Sequence, residues 1–536
     1  MNATLKNDGF KRFLKELSGS FLRFPAAEIE FVAGSTTGRG VARRSGTSTM
    51  IVCGISALSH DAAFSIVDSQ SREILFASHS ERFSRKKNDP ELDPESVRII
   101  KSYAPTLISW YERPFKKKTR QLFAGQLAEA LSLGDLPARY LQKIGLGDIP
   151  LVYQDHHRSH AAAGYFTSPF DEACVVVIDA IGEWDTLSIW RADQLELTKV
   201  YSSQYPSSLG LLYSAFTERV GLKPNEEEFI LMGMAAHGEP VHAQTIAGDF
   251  LEERDGVPHV KQNCHLGLGN YLSAADAFDL AASIQEVLAG CVRSVLEKAR
   301  LLVPSDNLVY MGGVALNCAA NAPAYRLFKN AWIMPNPGDA GSSLGAAALA
   351  TNQKLKWENP YLGYEIAGSY PVEPVLAELQ RSGICGVASG RAEFGPRALG
   401  NRSLLADPRG TRTKSQVNQI KKREPFRPLA PAILVEHAEQ YFELPANASE
   451  LPYMQLTVRC KDPENFPAIV HADGTARVQT VSWDDNPGFH ELLTAFHETT
   501  GCPMLLNTSL NIKGQPLVNT RADAEEFTQN YGVTCW

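Results

Sequence analysis

The alternation of apolar and polar residues becomes regular at Met50. From there, MIVCGISALSHDAAFSIVD indicates an apolar strand, a turn of small residues that carries His60 and Asp61, and a second strand. ILFASHSERF continues the pattern, so consecutive strands of one sheet are predicted. The later run ACVVVIDAIGEWDTLSIW repeats the order of strand, Asp-containing turn and strand. Two such units, each followed by helical stretches, predict an internally duplicated α/β domain.

Two further segments set the predicted domain boundaries. Residues 1–49 combine an apolar pattern at helical spacing with a basic segment rich in Gly and Ser, and their acidic residues argue against a targeting helix. We expect a flexible or non-native N-terminal extension there. The stretch 352–375 is polar, aromatic and rich in proline, which is typical of a domain boundary. The predicted domains are therefore 50–355 and 356–536.

The composition excludes some classes of protein. A chain of 536 residues is long enough for two or three domains, and its net charge of −8 gives no general reason to expect nucleic-acid binding. The nine cysteines are scattered and form no CxxC pair, which argues against a disulfide framework and a zinc–thiolate site and favours a reducing cytosol. No apolar run is long enough to span a bilayer. A cytoplasmic protein is expected, and no oligomeric state is predicted.

A histidine-rich stretch is the first candidate site. In DHHRSH, His156 and His160 are four positions apart, which places both on one face of a helix, and Asp179 follows in the next strand–turn unit. Two imidazoles and a carboxylate suit iron, manganese or zinc. A zinc protease would need Glu at position 157, where this chain has His157. A hydrogen-bonded start of a helix is an equally good interpretation of the spacing alone.

Two glycine-containing turns follow. VYMGGVALNCAAN predicts a buried strand that leads through Gly312 and Gly313 into a helix, where the backbone could approach a ligand closely, although such turns are usually structural. In MPNPGDAGSSLGAAALA, Asp339 stands directly before a helix of small residues. Capping of that helix is its default role, and metal ligation is the alternative.

The predicted second domain carries many cations. GRAEFGPRALGNRSLLADPR and KKREPFRPLAPAIL place arginines and lysines among glycines and prolines, with few acidic partners. Guanidinium groups match phosphate and carboxylate oxygens in a bidentate way, so an oxyanion site is predicted, with a solvated basic loop as the alternative. Loops around His471, Arg477 and Asn507 are predicted to line the same ligand.

Taken together, these motifs resemble one family, the O-carbamoyltransferases of antibiotic and nodulation-factor biosynthesis. The residues that carry the resemblance are ISALSHDAAFSIVD, ERFSRKKND, DHHRSHAAAGYFTSPF, VIDAIGEWDT, SLGLLYSAFT, GGVALN, NPGDAGSSLGAA, GRAEFGPRALGNRS, FRPLAPA, DGTARVQTV and NTSLNIKGQPLV. They occur in the family's order and extend from about residue 50 to about residue 520. The resemblance implies an α/β fold, in which a duplicated domain like actin, Hsp70 and the sugar kinases precedes a YrdC-like α/β domain.

The resemblance also implies a reaction. Carbamoyl phosphate and ATP, with Mg²⁺, would be converted through carbamate to carbamoyladenylate, which releases phosphate and pyrophosphate. A hydroxyl of a small-molecule acceptor would then attack the adenylate and give a carbamate ester and AMP. Adenylation gives the carbamate a good leaving group, and a closed site would protect it from water.

The resemblance assigns roles to individual positions. A metal, with Fe²⁺ favoured over Mn²⁺ or Zn²⁺, would be held by His156, His160, Asp179 and Asp339. The nucleoside would be lined by Gly312, Gly313, Asn317 and Asn321. Catalytic roles fall to His60 as the base, with Asp61, to Lys87 and to His471. The phosphates of ATP and carbamoyl phosphate would be bound by Arg391, Arg397, Arg402, Lys421, Arg427, Arg477 and Asn507.

Three departures from the family pattern bear on acceptor handling. Asn88 stands where the family usually has His, and Ile230 stands where a lysine is expected. EEFTQNYGVTCW ends where another strand would be expected, so the last sheet edge is predicted to be short or covered differently.

Two alternative functions stay open. The same chemistry could act on a hydroxymethylated nucleotide or a nucleic-acid base, which the basic N-terminal extension favours. A non-catalytic nucleotide-binding module is the other, since the fold does not by itself imply transfer chemistry. The combination of a metal set with an arginine-rich second domain argues against the latter.

Overall fold

The computed structural model describes residues 50–536, so the predicted N-terminal extension lies outside the described residues. The first sheet comprises β1 (Ile51–Ser56), β2 (Ala63–Asp68), β3 (Ile74–His79), β4 (Leu107–Trp110) and β5 (Leu151–Tyr153). Their spatial order is β3-β2-β1-β4-β5, in which β1, β2 and β3 are antiparallel and β4 and β5 run parallel to β1. The strands and the turn predicted from the apolar pattern are confirmed.

A second sheet repeats this topology. It comprises β6 (Glu172–Ile178), β7 (Asp185–Asp193), β8 (Glu196–Gln204), β11 (Asn307–Met311) and β12 (Asn330–Trp332), and a separate hairpin of β9 (Leu251–Arg254) and β10 (Val257–Val260) lies between them in sequence. The spatial order is β8-β7-β6-β11-β12, again with three antiparallel strands followed by two parallel ones. The predicted internal duplication is confirmed by this match.

Helices surround and separate the two sheets. Those preceding or following the first sheet's strands are Glu81–Ser84, Pro94–Ser102, Pro114–Phe123, Leu127–Leu131, Pro137–Lys143 and His156–Thr167. Those of the second unit are Leu209–Arg219, Glu228–Ala235, Ala243–Phe250, Ala277–Leu302, Ala322–Leu327 and Ser342–Thr351. The long helix Ala277–Leu302 begins at Asp276, whose carboxylate accepts hydrogen bonds from the first free backbone amides.

The helix His156–Thr167 follows β5, and the helix Ser342–Thr351 follows β12, so the two occupy equivalent positions in the two units. They pack against each other at very short range. A Cβ atom added at Gly345 would lie 1.8 Å from the carbonyl oxygen of Ser159, and one at Gly54 of β1 would lie 1.8 Å from that of Ser343. The run of Gly, Ala and Ser in SSLGAAALA is therefore a packing requirement between the two sheets.

The remainder of the chain forms a third sheet. Its strands are β14 (Ile384–Ala388), β16 (Arg402–Ala406), β17 (Ala430–Leu434), β20 (Gln479–Val481) and β21 (Met504–Ser509), in the order β14-β16-β21-β17-β20. Two small antiparallel pairs accompany it, β13 (Tyr361–Ile366) with β15 (Gly390–Glu393) and β18 (Thr457–Arg459) with β19 (Thr475–Arg477). The helices here are Val372–Ser382, Thr413–Ile420, Ala438–Tyr441, Pro487–Thr500 and Arg521–Tyr531.

The predicted boundary at residue 355 falls between the helix Ser342–Thr351 and β13. A continuous cluster of buried apolar residues crosses it and includes Val292 and Leu405. Two domains with this boundary stay a prediction, since their cores are in contact.

The three departures have clear local surroundings. Asn88 has a φ of 54°, a left-handed conformation that Asn tolerates, and its backbone N–H donates to Glu81. Ile230 is buried in the apolar core, so the structure gives it a packing role. At the C-terminus, Cys535 pairs with Gly386 as an isolated parallel bridge, and this short segment covers the outer edge of β14.

Two other sequence observations can be compared with the structure. All nine cysteines lie within the described residues, and none forms a disulfide. Among residues 50–536, no helix is long and apolar enough to cross a membrane.

Candidate active site

Four predicted metal ligands converge. The Nε2 atoms of His156 and His160 are 3.1 Å apart, and Oδ1 of Asp339 lies 3.3 Å from the first and 3.2 Å from the second. Oδ2 of Asp179 lies 3.4 Å from Nε2 of His156. These four ligand atoms all lie within 4.8 Å of one another. The structure therefore brings the predicted set together around one point.

The duplicated fold explains this convergence. His156 and His160 lie in the first turns of the helix after β5, and Asp339 lies just before the equivalent helix after β12. Asp179 directly follows β6, at the turn equivalent to the one that carries Asp61 after β1. The close packing of the two helices places their N-terminal ends side by side.

Neighbouring groups orient the ligands. Nδ1 of His160 lies 3.1 Å from the carbonyl oxygen of Pro337, to which it donates, so Nε2 keeps its lone pair. Oδ1 of Asp179 accepts a hydrogen bond of 2.9 Å from the backbone N–H of Gly313. Oε2 of Glu112 lies 3.8 Å from Nδ1 of His156. Such outer contacts are typical of metal-ligating histidines and carboxylates.

The electrostatics fit a cation at this point. Burial by itself would lower the pKa of His156, but Asp339 and Asp179 raise it well above its ordinary value. Burial and Asp339 would raise the pKa of Asp179, but His156 and His160 hold it at about 2. Two buried carboxylates thus require nearby positive charge, and a divalent ion would supply it while using the imidazole lone pairs. Two imidazoles and two carboxylates fit iron, manganese and zinc alike.

His157 is not part of this ligand set. Its Nδ1 lies 2.7 Å from the hydroxyl oxygen of Ser188, which also accepts a hydrogen bond from the indole N–H of Trp190. Burial, with the neighbouring His156, lowers the pKa of His157 to about 3, so its imidazole is neutral. Held by Ser188, His157 supports the start of the helix and lies outside the group of four ligand atoms.

Near the metal set, Asp61 belongs to a chain of hydrogen bonds. Its carboxylate lies 3.3 Å from Nδ1 of His79, whose Nε2 lies 3.0 Å from the amide nitrogen of Asn336. Burial would raise the pKa of Asp61, but His79 outweighs it and lowers that pKa below its ordinary value. Neither His79 nor Asn336 was among the predicted site residues. The signal was faint, since a lone His at the end of a strand has no characteristic spacing.

His60 and Lys87 are also near Asp61. His60 is exposed in the turn after β1, and it contributes to lowering the pKa of both Asp61 and Asp339. Nζ of Lys87 lies 3.0 Å from the buried carboxylate of Glu81. Lys87 is thus held in place by an acid from its own segment.

The Gly-Gly turn serves the metal set. Gly312 has a φ of 91°, and a Cβ atom there would lie 2.2 Å from the carbonyl oxygen of Ile178, so only glycine fits.

Asn317 and Gln285 exchange two hydrogen bonds of 3.0 Å. Asn321 has no exposed surface, and its amide donates to the carbonyl oxygens of Ala315 and Gln455. Its contacts are internal.

The predicted phosphate ligands separate into two groups. One group is already engaged in the interior. The guanidinium of Arg402 is fully buried and donates to five carbonyl oxygens, while Arg391 donates to those of Leu75 and Leu362. Lys421 is 3% exposed and is held by Ser509 and Asn511. Asn507 is likewise buried and donates to Gln479 and Ala398.

The other group forms a cationic cluster. Burial, together with Arg477 and Arg427, lowers the pKa of Arg397 to about 9. Burial, with the same two neighbours, also lowers the pKa of Arg423 to about 9. The acid beside Arg427 is Glu424, at 3.4 Å, and it is shared with Lys513. We call Arg397, Arg423, Arg427 and Arg477 the arginine cluster. Repulsion among these four positive charges indicates a site that favours anions.

The cluster adjoins a cleft of about 540 Å³. Its walls come from both parts of the chain and include His237, Gln285, Lys414, Phe426, His471 and Arg477. Nδ1 of His471 lies 3.2 Å from the hydroxyl oxygen of Thr475, and burial lowers its pKa to about 4. His471 is therefore neutral at physiological pH. Lys414 and His237 were absent from the predicted site, because only the folded chain brings them into this cleft. Arg423 lies in the predicted cationic stretch KKREPFRPLAPAIL but was not assigned to the phosphates.

Comparison with known proteins gives the family. The family model described as carbamoyltransferase N-terminus matches residues 111–348, and that described as carbamoyltransferase C-terminus matches residues 376–535. These two regions supply the two walls of the cleft.

Similar curated proteins cover most of the chain. The uncharacterized protein sll1178 of Synechocystis sp. is 34% identical over 88% of this chain and 93% of its own. Nodulation protein NolNO of Sinorhizobium fredii is 30% identical, over 87% and 76% respectively. The 3'-hydroxymethylcephem-O-carbamoyltransferase of Amycolatopsis lactamdurans is 26% identical, over 89% and 96%.

Among solved structures, full-length HypF in its phosphate- and nucleotide-bound form matches 57% of this chain and 46% of its own, with 14% identity and a TM-score of 0.34. The fold is established independently by the repeated sheet topology. Both family models and relatives at least 30% identical lead to the same conclusion: the chain belongs to the carbamoyltransferase family and is an enzyme of that class.

Proposed function

We propose that this enzyme is an ATP-dependent O-carbamoyltransferase. Water would cleave carbamoyl phosphate to carbamate and phosphate, and the carbamate oxygen would attack the α-phosphate of ATP to give carbamoyladenylate and pyrophosphate. A hydroxyl of a small-molecule acceptor would then displace AMP to form a carbamate ester. The cephem relative, named as an O-carbamoyltransferase, supports a hydroxyl acceptor. The basic extension that favoured a nucleic-acid acceptor lies outside the described residues.

The observation that carries the proposal is the arginine cluster beside a two-walled cleft. Burial, together with the mutual proximity of these guanidinium groups, lowers the pKa of Arg397 and Arg423, and a polyanionic ligand would offset both effects. Carbamoyl phosphate and a nucleoside triphosphate are such ligands, and guanidinium forks suit their oxygens. Arg402, Arg391 and Lys421 donate to internal acceptors and do not line the cleft, so we assign them a structural role.

His471 has a place in the activation step as a neutral group. Its lowered pKa leaves one N–H and one lone pair beside Arg477, so it can orient a water or the carbamoyl group without adding charge. The nearby cations supply the charge that phosphate binding needs.

The metal set would serve the transfer step. His156, His160, Asp179 and Asp339 would hold a divalent ion, whose Lewis acidity would stabilise the phosphate of the adenylate as AMP leaves. The protein's own part is to hold the ligands in one orientation, through Pro337 and Gly313, and to keep the set away from water. Gly312, Gly313 and Asn317 would lie along the nucleoside.

His60 is the proposed base for the acceptor hydroxyl. It is exposed and contributes to lowering the pKa of Asp339, whereas Asp61 is already paired with His79. An accessible imidazole can take up the hydroxyl proton as the carbamoyl carbon is attacked. Lys87, anchored by Glu81, adds positive charge on the same side.

The test separates activation from transfer. The purified enzyme is incubated with ATP, Mg²⁺, carbamoyl phosphate and iron or manganese but no acceptor, and carbamoyladenylate and AMP are measured by mass spectrometry. We expect carbamoyl-phosphate-dependent product from the wild type and its loss in Arg397→Ala. Arg381→Ala, an exposed arginine paired with Glu378, is the matched control. Absence of both products from the wild type would overturn the proposal.

A further inference from the structure

The short helix Glu81–Ser84, which follows β3, contacts the loop that follows β15 in the later part of the chain. Its Arg82 is buried, and Nη2 of that guanidinium donates a hydrogen bond of 2.8 Å to the carbonyl oxygen of Gly395. The two residues are 313 positions apart in the sequence. The fold therefore brings an arginine from the first sheet to the segment that immediately precedes Arg397 of the arginine cluster.

The carbonyl group that Arg82 holds belongs to the peptide bond between Gly395 and Pro396. That peptide is planar, and the ring of Pro396 fixes its φ at about −65°. Between the held peptide and the backbone of Arg397, only ψ of Pro396 then remains a soft torsion. The orientation of this one carbonyl group therefore constrains where the chain places Arg397.

The same segment is packed closely against the first part of the chain. A Cβ atom at Gly395 would lie 2.7 Å from the carbonyl oxygen of Pro335, in the stretch that leads to Asp339. The ring of Phe394, which has no exposed surface, lies 5.8 Å from that of His79 between centroids. Packing thus limits the position of the segment, and the hydrogen bond from Arg82 fixes the orientation of its peptide.

Arg82 differs from a buried arginine that serves stability alone. Its Nε and Nη1 have no hydrogen-bond partner among residues 50–536, whereas the guanidinium of Arg402 donates to five carbonyl oxygens. Burial lowers the pKa of Arg82, and the carboxylates of Glu81 and Glu393 oppose this change. A buried cation with unpaired donors contributes little to stability, and an apolar side chain of similar size is often as stable. This arrangement favours a role in positioning.

We propose that Arg82 is a positioning residue for phosphate binding, which acts through the carbonyl group of Gly395 to orient Arg397 within the arginine cluster. This inference rests on the proposed function, because it takes the arginine cluster as the phosphate site, and it adds a residue from the first sheet to that site. Arg82 contacts neither the ligand nor the reacting atoms. Its removal therefore weakens the binding of a polyanion only while Arg397 is present.

The test is a double-mutant cycle on the full chain, in which isothermal titration calorimetry measures the binding of inorganic pyrophosphate. Arg82→Met keeps most of the side-chain length and removes the donors. We expect this substitution to weaken pyrophosphate binding by about tenfold in the wild type and to have no further effect in Arg397→Ala. Arg82→Lys keeps a positive charge and a donor, so it should lose less affinity than Arg82→Met.

Arg85→Met is the matched control. Arg85 directly follows the same helix, donates to the carbonyl oxygens of Pro516 and Leu517, and lies 3.8 Å from Asp523. It also connects the first sheet to the later part of the chain, but at a different loop, so its substitution should leave pyrophosphate affinity unchanged. Thermal unfolding verifies that each variant is folded. If Arg82→Met does not fold, the same cycle with Arg82→Lys decides the question.

Four results would overturn the inference: unchanged affinity in the folded Arg82 variant, equal weakening in that variant and in Arg85→Met, a further loss when it is combined with Arg397→Ala, or no binding of pyrophosphate to the wild type. Calorimetry requires no turnover, so its outcome is independent of carbamoyladenylate formation. Failure of the proposed function would instead appear as absent AMP in the acceptor-free assay while pyrophosphate still binds.

Discussion

Nδ1 of His160 donates a hydrogen bond of 3.1 Å to the carbonyl oxygen of Pro337. The carbonyl can only accept, so this contact determines which imidazole nitrogen keeps its lone pair. Pro337 lies two residues before Asp339, and the same segment therefore places one proposed ligand and orients another. A metal set built in this way is preorganised by backbone as well as by side chains.

Removal of a ligand should remove the metal. We expect the wild type to retain a divalent metal through gel filtration, and His160→Ala to lose it, as measured by inductively coupled plasma mass spectrometry. His490→Ala changes a histidine that pairs with Glu436 and serves as the matched control. Full metal content in His160→Ala would contradict the assignment.

Glu112 should matter without being a ligand. Its carboxylate lies 3.8 Å from Nδ1 of His156, so Glu112→Gln should weaken metal affinity by about 10–100-fold. Competition with a chelator measures this change. Glu95→Gln, on the exposed helix Pro94–Ser102, should leave the affinity unaltered. Equal affinities of the two variants would show that Glu112 does not orient the ligand.

Substitution of an arginine from each of the two groups should change the free energy of unfolding by very different amounts. Arg402→Ala leaves several buried carbonyl oxygens without donors, so we expect the free energy of unfolding to fall by at least about 3 kcal/mol. Arg397→Ala relieves repulsion with Arg477 and should change that free energy by less than about 1 kcal/mol. Urea unfolding followed by circular dichroism compares them. Comparable losses would refute this division.

His471 should make stability depend on pH. Its folded pKa of about 4 lies below its ordinary value of 6.5, so the unfolded chain binds the proton more readily between these values. The contribution of His471 to the free energy of unfolding has its full value above pH 6.5. It decreases as the pH falls toward 4, by about 3 kcal/mol in total. His471→Asn should flatten the wild-type profile in that window, as measured by urea unfolding. Identical pH slopes would exclude the effect.

Replacement of two glycines by alanine should change the stability of the fold in opposite directions. Gly312→Ala meets both a positive φ and the carbonyl oxygen of Ile178, so it should destabilise the fold by more than about 1 kcal/mol. Gly248, in the helix Ala243–Phe250, has open space where a Cβ would stand, and Gly248→Ala should stabilise by about 0.5–1 kcal/mol. Thermal unfolding distinguishes them. A stabilising Gly312→Ala would contradict the described turn.

Local patterns were sufficient for much of the fold. Strand–turn–strand units around Asp61 and Asp179 are encoded by apolar runs a few residues long, and their repetition predicted the duplicated sheets that the structure confirms. The spacing of His156 and His160 likewise requires only one helical turn. The residue types of the proposed metal set could therefore be named from the sequence.

Tertiary structure alone decided which residues share a site. His79 reaches Asp61 because β2 and β3 pair with Ala63 opposite His79, and Asp339 reaches His160 because the two equivalent helices pack together. In the arginine-rich segment, Arg397 and Arg402 are five residues apart and chemically identical. One belongs to the arginine cluster and the other satisfies buried carbonyls, because the free energy of each guanidinium depends on the dielectric and partners that the folded chain places around it.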